Sequence, residues 1–275
     1  MKMLFVGGGN MASAIIGGLL RDAGDGIGAD AIAVVDPSEE QRARLERAFG
    51  VRTVASTAQA DPVDLVVWAV KPQSFAEAAR AAAGRLRLGL QLSVMAGVRA
   101  ADIARRTGAA KVVRTMPNTP ALIGMGIAGA YANAACNEHD RLLAAQVLRP
   151  TGELLWLDDE AQLDAVTALS GSGPAYVFYF IEAMMQAAVE MGLSAEHGRR
   201  LALATFAGAA ELARRSDEPP AELRARVTSK GGTTHAAITA MEAAAVGPAF
   251  VAAMHAARRR AAELGDELAA ASASD

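Results

Sequence analysis

Apolar positions follow two different rhythms along this chain. In the first half, short apolar runs at Met3–Val6, Ala31–Val35, Leu65–Val70, Gln91–Val94 and Val112–Arg114 alternate with stretches of helical spacing at Met11–Arg21, Ser38–Phe49, Gln73–Arg85 and Ala100–Thr107. The runs are apolar almost throughout, the pattern of strands covered on both faces. A parallel sheet flanked by helices is therefore predicted. A further pair of runs, near Ile127–Tyr131 and Glu153–Leu157, flanks a helix at Glu138–Leu148 and extends the sheet.

From about Gln162 the strand pattern stops. Helical spacing follows at Leu163–Leu169, Pro174–Met191, Ala195–Arg215, Pro220–Val227, Thr233–Ala244 and Pro248–Leu268, several opened by Pro, Ser or Thr where first-turn and capping residues belong. The change at Asp158–Gln162 predicts two domains, 1–160 and 161–275, the first α/β and doubly wound, the second all-α. The stretch Pro174–Met191 is apolar almost all round, with Glu182 and Glu190 its only charges. Such a helix needs cover on every side, and a partner subunit is expected to supply part of it.

Composition narrows this picture. Hydrophobic residues make up 52% of the 275 and aromatics only 4%, which suits close-packed helices on a sheet better than an all-β sandwich. A formal net charge of −3 offers no broad attraction to a phosphate backbone, so no nucleic-acid partner is expected. Cys136 stands alone, which excludes an intrachain disulfide and a multi-thiolate site; no metal is expected. No uncharged stretch has the length of a membrane span, and the N-terminus lacks the pattern of a signal peptide. The expectation is a cytoplasmic protein with no membrane partner.

The chemistry begins at Gly7-Gly8-Gly9-Asn10-Met11-Ala12, between the first strand and first helix. It fits G-x-G-x-x-A: Gly7 permits the tight turn, Gly9 admits a pyrophosphate to the backbone, and Ala12 lets helix and strand pack closely. The helix start then turns free N–H groups toward the phosphates, so a dinucleotide, NADP(H) or NAD(H), is expected in a Rossmann domain. Asp36 ends the second apolar run, where a carboxylate accepts the ribose 2′-hydroxyl and disfavours a 2′-phosphate. Ser38 and Arg42 lie just beyond and are each able to reach a 2′-phosphate. These residues leave the choice of cofactor open, and a purely local turn into Pro37 is the other reading of Asp36. Ala69, Val70 and Lys71 end the run Leu65–Val70 at the carboxyl edge of the sheet. Ala96 follows the run Gln91–Val94, and Thr57 joins the same candidate set. For Lys71 a solvated loop position is the alternative.

Three further segments combine small, hydroxyl and proline residues: Arg114–Pro120, Ser170–Pro174 and Val227–Thr234. The last two precede helices, where clustered N–H groups suit a carboxylate better than a metal. None of the three contains His, Asp or Glu, and the four histidines read as helix positions. A ketone receiving hydride needs an acid to protonate its oxygen; a protonated imine does not. The missing acid favours C=N over C=O.

Taken in order, GGGNM, AVKPQ, RTMPNTP, LSGSGPAYVFYFIEAM and VTSKGGTTHAAI resemble the motifs of the pyrroline-5-carboxylate reductases over essentially the whole chain. The resemblance implies a Rossmann domain followed by an all-α dimerisation domain, and reduction of pyrroline-5-carboxylate to L-proline by NAD(P)H. It implies a homodimer, with a higher ring of dimers left open. It also implies that backbone N–H groups at Gly231, Gly232 and Thr233 hold the substrate carboxylate. Thr234 would hydrogen-bond the ring nitrogen as the catalytic residue, and Ser170, Gly171, Ser172 and Gly173 would close the far side. The family often prefers NADPH, whereas Asp36-Pro37 departs from the basic or neutral residues common there. The alternative is a β-hydroxyacid-type dehydrogenase, but members of that group resemble one another in a catalytic lysine early in the first long helix after the sheet, and Pro174–Met191 contains none.

Overall fold

A computed structural model describes residues 1–21 and 26–273 of the chain. Its centre is one sheet of eight strands in the order β3-β2-β1-β4-β5-β6-β7-β8. The strands are β1 (Met3–Val6), β2 (Ile32–Val35), β3 (Arg52–Val54), β4 (Leu65–Trp68), β5 (Leu90–Ser93), β6 (Val112–Met116), β7 (Gly126–Ala132) and β8 (Gly152–Trp156). β1 pairs in parallel with β2 on one side and β4 on the other, so the chain reverses its direction of travel across the sheet between them. That reversal opens a crevice at the carboxyl ends of the strands.

The first six helices accompany the sheet: α1 (Asn10–Arg21), α2 (Glu39–Phe49), α3 (Phe75–Ala81), α4 (Ala100–Thr107), α5 (Glu138–Leu148) and α6 (Gln162–Val166). The core lies in two layers because adjacent strand residues face opposite sides. Phe5, Val67 and Leu92 pack with Ile15, Ile16 and Leu19 of α1 and Val147 of α5. Leu4, Val6 and Trp68 pack with Phe75 of α3 and Ile103 of α4. Trp68 is fixed twice, edge-on to Phe75 at 5.0 Å and by its indole N–H donating to Gln91 Oε1 at 2.8 Å.

Several elements differ from the sequence reading for local reasons. The expected all-parallel sheet turns antiparallel once, between β6 and β7. The link is a short 3₁₀ turn, Thr119–Ile123, closed by Gly124 in the left-handed region; a parallel return would need a longer crossover. β3 spans three residues and leans on β2 for its pairing, too short a run to register as a strand. The helix expected over Gln73–Arg85 stops at Ala81, because Ala83 and Gly84 both take positive φ.

Packing divides the chain later than the change of pattern does. One compact unit comprises Met1–Ser172 together with the chain from Ala257 onward; the other is Gly173–Ala256. The sheet ends near 160, but α6 stays with it: Val166 packs where Gly129 lacks a side chain, and Leu268 meets Gly97. The later helices are α7 (Gly173–Glu190), α8 (Ala195–Arg215), α9 (Pro220–Arg226), α10 (Thr233–Ala243) and α11 (Val246–Ala273). In the second unit α7 packs on α8, with Gly198 admitting Ala188 to close range, and Tyr176 and Phe180 meet Phe250. Within a single chain α7 is not buried all round. Val177, Phe178, Tyr179 and Val189 stand exposed, and Ala188 is its buried residue.

Candidate active site

The turn after β1 forms one wall of a 440 Å³ cleft at the crevice of the sheet. Gly7 sits at φ +97, and a Cβ there would lie 2.6 Å from Ala69 O, so only glycine lets the ends of β1 and β4 approach this closely. Gly7 N–H donates to Val35 O at 2.8 Å, which closes the turn. A Cβ on Gly9 would meet nothing within 4 Å, so this position faces open space. Ala12 is fully buried, as close packing of α1 on the sheet requires. The open side of the turn thus fits a pyrophosphate, while its closed side is braced by backbone.

The cleft gathers Gly7, Gly8, Gly9, Asp36, Thr57, Ala69, Val70 and Lys71, eight of the twelve expected cofactor positions. Asn10, Met11, Ser38 and Ala96 do not line it. Ser38 is the N-cap of α2, its hydroxyl accepting from Gln41 N–H. Met11 packs against the core. Ala96 lines a separate hollow with Gly97, Asp164 and Thr167. Asp36 does more than turn into Pro37: Oδ2 accepts from Gly8 N–H and Oδ1 from Ser38 N–H, each at 2.9 Å. Thr57 donates its hydroxyl to Ala78 O at 2.7 Å, and this bond ties the cleft floor to α3.

Sequence reasoning missed Ser56, Ser74 and Glu77, which line the same cleft. Ser56 and Thr57 follow β3, whose three residues carried no readable strand pattern. Glu77 looked like any charge on the outer face of a helix.

Two of the hydroxyl-rich segments meet within the first unit. Thr167–Gly171 forms a π-helical turn closing α6, a distortion often found at functional sites. A Cβ on Gly171 would lie 2.6 Å from Met116 Cε, so this glycine admits the end of β6. Much of Arg114–Pro120 holds the fold instead of facing a ligand. Arg114 is buried and pairs with Glu160 at 2.8 Å, Thr115 donates to Ser93 O, and Asn118 accepts from Ile127 N–H. Glu160 also accepts from Ala100 N–H at 2.7 Å, so one carboxylate joins β6 to the start of α4.

The third segment lies in the second unit. Gly231 is at φ +77, and Gly232 precedes α10 without offering a side-chain cap. The first N–H groups of α10 are therefore left for another acceptor. Thr234 is the second residue of the helix, inside its first turn and not at the capping position. α7 has no lysine anywhere in its length.

Residues 160–264 match the family model for pyrroline-5-carboxylate reductase dimerisation, and residues 2–97 that for NADP oxidoreductase, coenzyme F420-dependent. A pyrroline-5-carboxylate reductase of Pseudomonas aeruginosa is 45% identical over 270 residues, covering 97% of this chain and 98% of that protein. The chain belongs to the pyrroline-5-carboxylate reductase family. The solved structure of the Coxiella burnetii reductase is 35% identical with a TM-score of 0.88, covering 96% of this chain and 98% of that one. That of the Plasmodium falciparum reductase, with NADP bound, is 28% identical with a TM-score of 0.85 over the same shares. The likeness runs through both compact units, so the glycine turn and the Gly231–Thr234 loop belong to one family pattern.

Proposed function

We propose that this chain is a pyrroline-5-carboxylate reductase, an NAD(P)H-dependent oxidoreductase that forms L-proline. The observation that carries this reading is the open space at Gly9, on a turn otherwise closed by backbone at Gly7, in a chain of this family. When bound, the dinucleotide supplies the hydride. The chain's own residues bind and orient. Gly7–Gly9 receive the pyrophosphate, and Asp36 and Thr57 line the same cleft. At the other candidate site, the N–H groups of Gly231 and Thr233 hold the substrate carboxylate, helped by the N-terminus of α10; the Gly232 N–H, expected to join them, donates instead to Ser229 O at 3.0 Å. The Thr234 hydroxyl takes a hydrogen bond from the ring nitrogen and keeps it as positive charge leaves that atom. Ser170–Gly173 belongs to the same set of substrate-binding residues. Hydride on an iminium carbon yields an amine directly, because the nitrogen already carries its proton, so no acid is needed to protonate the heteroatom.

The same reading makes the chain a homodimer through its helical unit, since Val177, Phe178 and Tyr179 of α7 form an apolar surface uncovered in one chain. A larger ring of dimers is a further expectation read by the same sizing measurement. Its place is the cytoplasm. Among the described residues no single helix is long and apolar enough to cross a membrane; α10 and α11 pass that test only as a pair bent by 53°. The experiment is oxidation of NADH and NADPH in the presence of pyrroline-5-carboxylate, with proline identified as product. Absence of turnover with both dinucleotides, in a folded protein, would end this reading.

A further inference from the structure

The cleft around the pyrophosphate turn carries an uneven charge distribution. Among the residues that line the cleft, Asp36 and Glu77 are acidic and Lys71 is basic. Lys71 follows β4, whereas Asp36 follows β2 on the opposite side of β1. Asp36 is held rigidly, for both its oxygens accept backbone N–H groups, from Gly8 and Ser38. A carboxylate oxygen has lone pairs beyond those two bonds, and they remain available to a ligand hydroxyl.

The residues able to attract a 2′-phosphate are committed elsewhere. Arg42 points its Nη1 at the carbonyls of Asp36 and Pro37, at 2.9 and 3.0 Å, and does not line the cleft. Ser38 is turned to α2 as its N-cap. The first turn of α2 then adds Glu39 and Glu40, which offset the positive end of that helix. A 2′-hydroxyl at Asp36 finds a fixed acceptor. A 2′-phosphate there meets a carboxylate that cannot swing away without releasing Gly8 and Ser38.

We propose that this chain selects NADH over NADPH, and that Asp36 is the residue that decides it. The inference rests on the cleft being a dinucleotide site and goes beyond the proposed function, which leaves the cofactor open. It separates this chain from the Plasmodium falciparum relative, whose structure has NADP bound.

The test is equilibrium binding of NADH and NADPH to the full chain by isothermal titration calorimetry, at low and at high salt. NADH is expected to bind tenfold tighter or more, about 1.4 kcal/mol. Raising the salt should narrow the gap, because screening weakens repulsion between carboxylate and phosphate; recognition by a cation would respond in the opposite sense. Asp36→Asn keeps an oxygen for one of the two N–H groups and should bring the two affinities together, mainly through a gain for NADPH. Asp36→Ser serves as the second variant if Asp36→Asn does not fold. Equal or tighter NADPH binding by the parent chain would overturn the proposal, as would an unchanged ratio in a folded variant. Binding of neither dinucleotide would instead overturn the assignment of the cleft, so the two failures are distinguishable.

Discussion

Gly7 and Gly9 stand two residues apart on one turn, yet substitution should separate folding from binding. In Gly7→Ala the new Cβ would lie 2.6 Å from Ala69 O and 2.8 Å from Val70 N, against backbone that cannot rotate aside. Holding alanine at φ +97 costs about 1–3 kcal/mol in backbone strain. Forcing β1 and β4 apart adds roughly 1–3 kcal/mol of overpacking. The sum, about 2–6 kcal/mol, is a large part of the roughly 5–15 kcal/mol that holds a domain folded. At about 2–4 °C per kcal/mol for a chain of this size, Tm should fall by roughly 4–24 °C. In Gly9→Asp the side chain enters open space, so stability should stay within about 0.5 kcal/mol of the parent. The carboxylate would nevertheless occupy the volume of the pyrophosphate and repel it, and dinucleotide binding should be lost. A thermal melt of both variants beside NADH titration reads the two effects separately. A Gly7→Ala protein melting with the parent would refute the packing argument, and a Gly9→Asp protein binding with parental affinity would remove this turn from the cofactor site.

Thr234→Ala should lower kcat about 10- to 100-fold, equivalent to about 1.4–2.7 kcal/mol, while KM moves less because the backbone cradle remains. Since Thr234 lies inside the first turn of α10, Tm should hardly change; a lower Tm with parental kcat would make its role structural. Glu160→Ala leaves Arg114, 7% exposed in its side chain, without its counter-charge, and should cost about 3–5 kcal/mol in chemical denaturation. A loss under about 1 kcal/mol would show that the pair contributes little. Burial holds the Asp164 carboxyl above the ordinary carboxylate range, against the opposing pull of Arg114, Arg99 and Arg258. A raised folded pKa gives stability that is present at low pH and lost as pH rises through that pKa. Asp164→Asn should therefore melt higher than the parent at neutral pH, with the gap closing below the ordinary aspartate value; a lower Tm at pH 7 would contradict this.

Much of the architecture was legible because its signals are local. β1, β2 and β4 follow from continuous apolar runs, β5 and β6 from shorter ones broken by Gln91, Ser93, Arg114 and Thr115, and α1, α4 and α5 match their expected spans within a residue. The Asn137–Asp140 capping box and the Ser38 cap act within one helical turn, over which neighbouring residues alone decide the conformation. The glycine turn was readable for the same reason: strand, small residues and helix follow one another directly.

What the tertiary structure decided are the partnerships between distant residues. Periodicity marks Arg114 as part of a strand and Glu160 as part of a loop; only the packed sheet brings them to 2.8 Å. Gly171 needs its missing side chain because Met116 arrives from β6, and the antiparallel turn of β7 follows from the short connection after Met116. α7 was expected to take part of its cover from a partner subunit, and the fold of the single chain decides that Val177, Phe178 and Tyr179 are among the residues left bare. Asp36 shows the division most plainly. Its place after β2 identified a carboxylate near the ribose. That both its oxygens are tied down, and that Arg42 is turned onto the backbone beside it, depends on the packing of α2 against the glycine turn. Local propensity acts over a few residues, whereas the direction of a side chain is set by everything the fold places around it.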